Sequence, residues 1–315
     1  MPENRLLNSI FVPHATQTTH MRLLLSLAFC LTCTLVLRAQ LPGTQVYVFD
    51  IATGDTTVTF TNPRYLTAFN QRGYNNQPHW IDREKLLLSV QQPEMAQPDV
   101  FSFDLKTRAK TRMTRTVAGE YSPKAMGDGR KFSAIRQEYI GRDTVLRLWE
   151  FPTNLADNGR PVFKYINGVG YYEWLNGTQL ALFLVGVPNT LAMASADTDR
   201  PITLANNVGR CFKRLPNGNL AYVSKATSRW EIVEKNLYRL DDPARVVTAC
   251  INGAEDFAIL RDGSYLMAGD AKIYRYDPIR NPVWKEVVDL RFYGIRNISR
   301  IESNGFGKLA IVAGS

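Results

Sequence analysis

Histidine is nearly missing from this 315-residue chain. Three are present, and His14 and His20 fall in the first forty residues, leaving His79 alone beyond them. One histidine could serve a Ser-His-Asp site, but nothing marks a nucleophile beside it. His79 stands next to Trp80 in a strand-like stretch, so a packed structural histidine is the expectation. No Gly-x-Ser-x-Gly elbow, Walker loop or His-Glu-x-x-His is present, which removes the common sequence signatures of hydrolases, nucleotide-binding proteins and zinc peptidases. Cysteine is also sparse: of four, Cys30 and Cys33 lie in an apolar run near the start, leaving Cys211 and Cys250. Two residues so far apart have no metal-ligand spacing, and whether they pair cannot be deduced from sequence; buried thiols are expected. Long Ala/Glu/Lys-rich helical stretches are absent as well. With aromatic and β-branched residues plentiful, the composition leans all-β.

The formal charge is +9. Without residues 1–40, which carry three Arg and one Glu, it is +7. Its densest cluster is Lys106, Arg108, Lys110, Arg112 and Arg115. A nucleic-acid surface would need such charges on one face with interleaved aromatics. A solvated turn and edge strand account better for this group, so no nucleic-acid partner is expected. The excess charge favours an envelope protein or an anionic polymer.

Residues 1–20 are polar and unlike any leader, so they read as a non-native or disordered extension. From Met21 a basic start, an apolar run of about 15 residues from Leu23 to Leu37, and the exit Arg38-Ala39-Gln40 describe a signal peptide over 21–40. The run falls short of the ~20 residues of a comfortable span. Cys30 lies inside the run, so no lipid anchor is expected. The reading is a periplasmic or secreted protein, at most peripheral to a membrane and monomeric. The ending Ala39-Gln40 resembles exported proteins of Bacteroidetes-type bacteria.

What the chain has instead is repetition. Tyr74 to Ser89 reads as strand, polar turn and strand, and five more copies follow. Their turns are Arg83-Glu84, Asp128-Gly129, Asn176-Gly177, Asn217-Gly218, Asp262-Gly263 and Asn304-Gly305, spaced 45, 48, 41, 45 and 42 residues apart. Asn-Gly and Asp-Gly are strong hairpin signals, and two-residue type I′ turns are expected. Short strands repeating at roughly 40 to 50 residues are the mark of a β-propeller. Third strands such as Val100–Leu105, Val145–Trp149 and Lys272–Asp277 alternate as half-buried strands do. The last unit stops after two strands, and Gln45–Asp50 with Thr56–Phe60 would supply the missing third and fourth. Residues 41–315 are therefore expected to form one all-β, six-bladed propeller of four-stranded blades, its last blade closed by the N-terminal strands.

Glu120-Tyr121-Ser122-Pro123, Asp128-Gly129-Arg130-Lys131, Tyr74-Asn75-Asn76-Gln77-Pro78 and Val100 to Leu105 resemble the TolB-like, WD40-like (PD40) propellers. Those repeats carry Ser-Pro-Asp-Gly-Lys at the hairpin; here Met126-Gly127-Asp128-Gly129 stands in the nearest copy. The resemblance implies a six-bladed propeller and specifies activity poorly. Relatives serve as periplasmic interaction platforms and as accessory domains of peptidases and polysaccharide lyases.

Counting back about eight residues from each turn marks where the inner strands begin, at one mouth of the channel. Asn76, Gln77, Glu120, Tyr121, Tyr171, Tyr172, Arg210, Glu255, Asp256, Arg296 and Asn297 fall there and form the candidate binding ring. Six-bladed sugar-lactone hydrolases resemble this layout. On that resemblance Glu120, Glu255, Asp256 and Asn297 would offer Ca or Mg hard oxygen ligands. Arg210 and Arg296 at the same rim repel a cation, and no cofactor is expected. The leading expectation is a non-enzymatic exported binding or scaffold module, with no catalytic residue. The alternative is a metal-dependent lactonase-like hydrolase or a polysaccharide lyase acting at the axis.

Overall fold

Within each repeat the second strand is apolar at nearly every position, as in Leu86-Leu87-Leu88 or Leu309-Ala310-Ile311-Val312, which suits a strand covered on both faces. The computed structural model describes residues 41–127 and 129–314. The extension expected over residues 1–20, the signal peptide expected over 21–40 and the turn residue Asp128 lie outside the described residues.

Twenty-four strands are described. They begin with β1 (Thr44–Thr53) and β2 (Val58–Tyr65), and blade I follows as β3 (Tyr74–Trp80), β4 (Lys85–Gln91), β5 (Asp99–Asp104) and β6 (Lys110–Arg112). Blade II holds β7 (Gly119–Ala125), β8 (Lys131–Ile140), β9 (Asp143–Pro152) and β10 (Arg160–Pro161). Blade III holds β11 (Val169–Trp174), β12 (Gln179–Leu184), β13 (Thr190–Ser195) and β14 (Ile202–Asn206). Blade IV holds β15 (Val208–Arg214), β16 (Leu220–Ser224), β17 (Glu231–Lys235) and β18 (Arg245–Ala249). Blade V holds β19 (Phe257–Ile259), β20 (Tyr265–Gly269), β21 (Lys272–Asp277) and β22 (Asn281–Asp289). Finally β23 (Ile298–Ser303) and β24 (Lys308–Gly314) meet β1 and β2 in the order β2-β1-β24-β23, which makes blade VI. The antiparallel register from Thr44↔Gly314 to Asp50↔Lys308 closes the ring as the sequence predicts.

The second strands feed two cores each. In β4, Leu86, Leu88 and Val90 join the cluster between blades VI and I, while Leu87 joins the one between I and II. In β24, Leu309, Ile311 and Ala313 pack toward blade V and Ala310 and Val312 toward blade I. Successive side chains leave opposite faces of a strand, so a run buried on both sides must be apolar throughout. Six clusters of buried residues fill the six seams among the described residues.

The hairpins stand where expected, but the five turns with both central residues described are not type I′. Gly218 and Gly263 take φ of 85° and 84°, whereas the preceding Asn217 and Asp262 are not in the left-handed region. These two turns begin with a tight bend, Gly218 N–H to Leu215 O (2.9 Å) and Gly263 N–H to Leu260 O (3.0 Å). The Asn or Asp side chain then accepts a later backbone N–H, as Asn176 Oδ1 does from Thr178 and Gln179 and Asn304 Oδ1 from Phe306 and Lys308. That Asx geometry explains the glycine-free first turn: Asp82 Oδ1 accepts from Glu84 and Lys85 at 2.8 Å each. The Asn and Asp residues are selected for their side-chain oxygens here, and not for positive φ.

Candidate functional site: the channel and its mouth

The inner strands β3, β7, β11, β15, β19 and β23 are edge strands, so each has backbone groups facing the channel with no ladder partner. In β3 and β7 a bulge carries the surplus. Register shifts between Asn76 and His79 and between Tyr121 and Lys124, with Gln77 and Ser122 at φ of 57° and 52° before Pro78 and Pro123. Proline lacks the N–H that such a bulge would leave unpaired.

Other inner-strand N–H groups are met from a neighbouring blade. Gln77 Oε1 accepts from Ser122 N–H (2.8 Å), Glu255 Oε1 from Arg210 N–H (2.7 Å), and Asp256 Oδ1 from Ile301 N–H (3.0 Å). Each pair is 45 residues apart, one blade's worth of chain. Three members of the expected ring are thus inter-blade ties.

The cations at the mouth gather on the same two carboxylates. Lys225 Nζ lies 2.9 Å from Glu255 Oε1, and Arg210 Nη1 lies 3.8 Å from Oε2. Burial alone would raise the Glu255 carboxyl, but Lys225 and the Arg210 N–H outweigh it and hold it below the usual range. Arg300 Nη1 stands 3.6 Å from Asp256 Oδ2, while its Nη2 donates to the Tyr171 hydroxyl at 2.9 Å. Arg210 Nη2 donates across to Ser299 O (3.0 Å), yet its Nε is buried without a partner.

The rest of the expected ring disperses. Asn76 is buried and its Oδ1 accepts from the adjacent Gln77 N–H. Glu120 is fully buried in the seam between blades I and II, accepting from Thr116 Oγ1 (2.6 Å) and Arg136 Nε (3.0 Å). Burial pushes its carboxyl up to about 7 against the opposing pull of Thr116 and Arg136. Tyr121 is half-buried, edge-on to Tyr74 at 6.4 Å, and burial pushes its hydroxyl up to about 12. Tyr172 is buried against the core between blades II and III, its hydroxyl 2.9 Å from Ser133 Oγ. Arg296 and Asn297 are exposed, and Asn297 N–H donates to Asp270 Oδ1 at 3.2 Å.

Three cavities follow one another along the channel. A mouth pocket of about 370 Å³ is lined by Trp230, Glu255, Asp256, Asn297, Ser299 and Arg300, among others. Below it Arg210, Asp256 and Arg300 also line an axial cavity of only about 70 Å³. His79 and Lys124 are shared between that cavity and a floor pocket of about 520 Å³ that includes Trp174 and Arg214. Small-molecule sites typically measure ~300–1,000 Å³, so the axial cavity is suited to water and the mouth pocket is of ligand size. At the floor, ion pairs join Lys124 to Glu173 (2.8 Å) and Lys213 to Glu302. Burial, with Lys124 and Lys213 nearby, depresses His79 well below its usual value, and its Nδ1 is buried without a partner.

Trp230, Lys225 and Arg300 were not among the residues expected at the mouth. Lys225 Nζ sits 3.9 Å above the Trp230 ring, so that indole carries a cation at the mouth's edge. Trp230 lies beyond β16, far from any turn used for counting. Cys211 and Cys250 are free thiols; Cys211 Sγ lies 3.4 Å from both N and O of Phe257. Glu120 lies in its own seam, apart from Glu255, Asp256 and Asn297. Among the described residues no three His, Cys, Asp or Glu side chains gather as a metal site. Of the four oxygen donors that the lactonase resemblance would require, Glu255, Asp256 and Asn297 line the mouth pocket and Glu120 does not.

The fold is that of a TolB-like six-bladed propeller. The structure of a TolB from Agrobacterium tumefaciens matches at a TM-score of 0.63, with 12% identity over 87% of this chain and 99% of that one. A TolB from Acinetobacter baumannii matches at 0.55, with 11% identity over 87% of this chain and 65% of that one. A chain from a nidogen/laminin complex matches at 0.57 and 12% identity, over 86% and 98%. A puromycin-hydrolysing peptidase of Mycobacterium tuberculosis matches at 0.51 and 13%, over 77% of this chain and 44% of that one. No family model and no curated protein matches the chain. Among the described residues no helix is long and apolar enough to cross a membrane.

Proposed function

We propose that the chain is an exported, non-enzymatic binding module of the cell envelope that holds an envelope protein at its channel mouth. The observation that carries this reading is the commitment of the mouth carboxylates. Glu255 is engaged by Lys225 and by Arg210, and Asp256 by Ile301 N–H and Arg300, so neither is free to act as a base or to ligate a cation. A general base must reach the proton it removes, and these oxygens face protein donors instead. The pocket above them has the volume for a partner's side chains and one aromatic residue, Trp230, in its lining. The nidogen/laminin match lends support, since that chain is seen within a protein complex. The peptidase match is the nearest support for a hydrolytic role, and there the similar part is under half of the matched chain.

The test compares wild type with Trp230→Ala/Arg296→Glu in pull-downs from envelope extract, alongside turnover of lactones and uronate polymers. The reading expects a specific partner retained by wild type and lost by the variant, with no turnover. Turnover abolished by the same substitutions would replace it with the enzymatic alternative.

A further inference from the structure

The largest cavity among those described is far from the mouth. It measures about 1010 Å³ and lies on the outer wall where the end of β2 meets the β5–β6 hairpin. Its cations are Arg64, Lys106, Arg108 and Lys110, and its acids are Glu84 and Asp104. Both acids are already engaged. Asp104 Oδ1 accepts the N–H groups of Lys106 and Thr107 at 2.9 Å each, and Glu84 Oε1 lies 3.5 Å from Lys308 Nζ. Lys106 and Arg108 are exposed, and neither side chain has an ion-pair partner among the described residues. Arg108 is held at φ 59° in the turn.

The wall between these charges is aromatic. Tyr65 is stacked on Tyr47 at 4.9 Å and is still 37% exposed. Phe69, also 37% exposed, lies 5.9 Å from Phe103 and carries Lys110 Nζ 3.4 Å above its ring. The basic run noted in the sequence therefore divides. Arg112 turns inward to Asp99, whereas Lys106, Arg108 and Lys110 face an aromatic-walled groove.

We propose that this groove binds an acidic polysaccharide, its carboxylates meeting Lys106, Arg108, Lys110 and Arg64 and its sugar faces lying on Tyr65 and Phe69. Charge complementarity selects a polyanion. The strand edges disfavour an extended acidic peptide, which would need a free ladder to join. β6 has only three residues, and β2 is interrupted by Asn62 at φ 51° and by Pro63. The site is independent of the mouth.

Titration calorimetry of the purified protein with polygalacturonate, neutral dextran, polyglutamate and a single-stranded oligonucleotide tests the assignment. Polygalacturonate is expected to bind, to weaken as salt rises, and to lose at least tenfold in affinity in Lys106→Ala/Arg108→Ala and in the milder Lys110→Gln. Trp230→Ala at the mouth should leave it unchanged, which separates this proposal from the one above. Binding indifferent to the groove substitutions, or equal binding of dextran, overturns it. So does tighter binding of polyglutamate or the oligonucleotide, which would assign the groove to another class of polyanion.

Discussion

The two ends of the channel use charge differently. At the mouth, carboxylates accept backbone N–H groups from a neighbouring blade, and of the cations around them Lys225 and Arg210 are partly exposed while Arg300 is as covered as the floor pairs. At the floor, Lys213 with Glu302 and Lys124 with Glu173 are side-chain pairs, each partner less than a fifth exposed. A carboxylate that ties down an edge strand can be replaced by an amide and still do that work. A buried ion pair cannot lose one member without stranding the other. The Glu255 side of the mouth is therefore the place that can tolerate change around a ligand, and the floor, like the Asp256–Arg300 pair, holds the ring in register.

The sharpest break in that comparison is Lys213→Met, which leaves Glu302 without its cation. A loss of about 3–5 kcal/mol is expected in chemical denaturation. The double variant Lys213→Met/Glu302→Leu should recover most of it, because apolar replacement of a whole pair is often nearly neutral. A double variant as unstable as the single one would show that the floor's charges matter beyond their pairing.

Glu120 offers a pH test in the seam between blades I and II. Its folded-state value, about 7, lies above the usual carboxyl value of 4.5. The folded state thus holds the proton more tightly, so this contribution to stability is full below about pH 4.5 and is lost as pH rises through about 7. The loss is on the order of 3 kcal/mol from the size of the shift. Glu120→Gln should flatten the stability profile between pH 5 and 8. An unchanged profile would place the titration elsewhere.

At the mouth, Glu255→Gln keeps an oxygen for the Arg210 N–H and loses only the charge. A cost of about 1–2 kcal/mol is expected, below that of Lys213→Met. A loss as large as the floor variant's would erase the distinction between the two ends. The smallest effect belongs to Arg296→Ala. The residue is exposed, and its removal should change stability by less than about 0.5 kcal/mol. Any larger thermal shift would mean that Arg296 supports the mouth.

The repeat, the doubly buried second strands and the closing blade were legible because each is a local pattern with a fixed period. The turn type was misread because Asn-Gly suits both a type I′ turn and an Asx turn, and only the side-chain acceptor separates them. Polar residues were expected at the mouth, and Arg210, Glu255, Asp256 and Asn297 do gather there. Their task was not legible, since the N–H that Asp256 serves lies a whole blade away at Ile301. Glu120 sits one residue from Tyr121 and reads as its equal, but the pleat sends one into a seam and leaves the other at its edge. The outer groove joins Tyr65 and Phe69 to the Lys106–Lys110 turn, and no sequence window spans both.

The pairing of β1 with β24 also bears on how the protein is made. Lys308 Nζ meets Asp50 Oδ1 at 2.7 Å from a position 258 residues further along the chain. Blade VI cannot form until its C-terminal strands arrive, so β1 waits with one unpaired edge during synthesis. Contacts this remote slow the final step of folding and leave the waiting edge open to other chains. Yield in the cell should consequently depend on how quickly residues 298–314 follow the first strands.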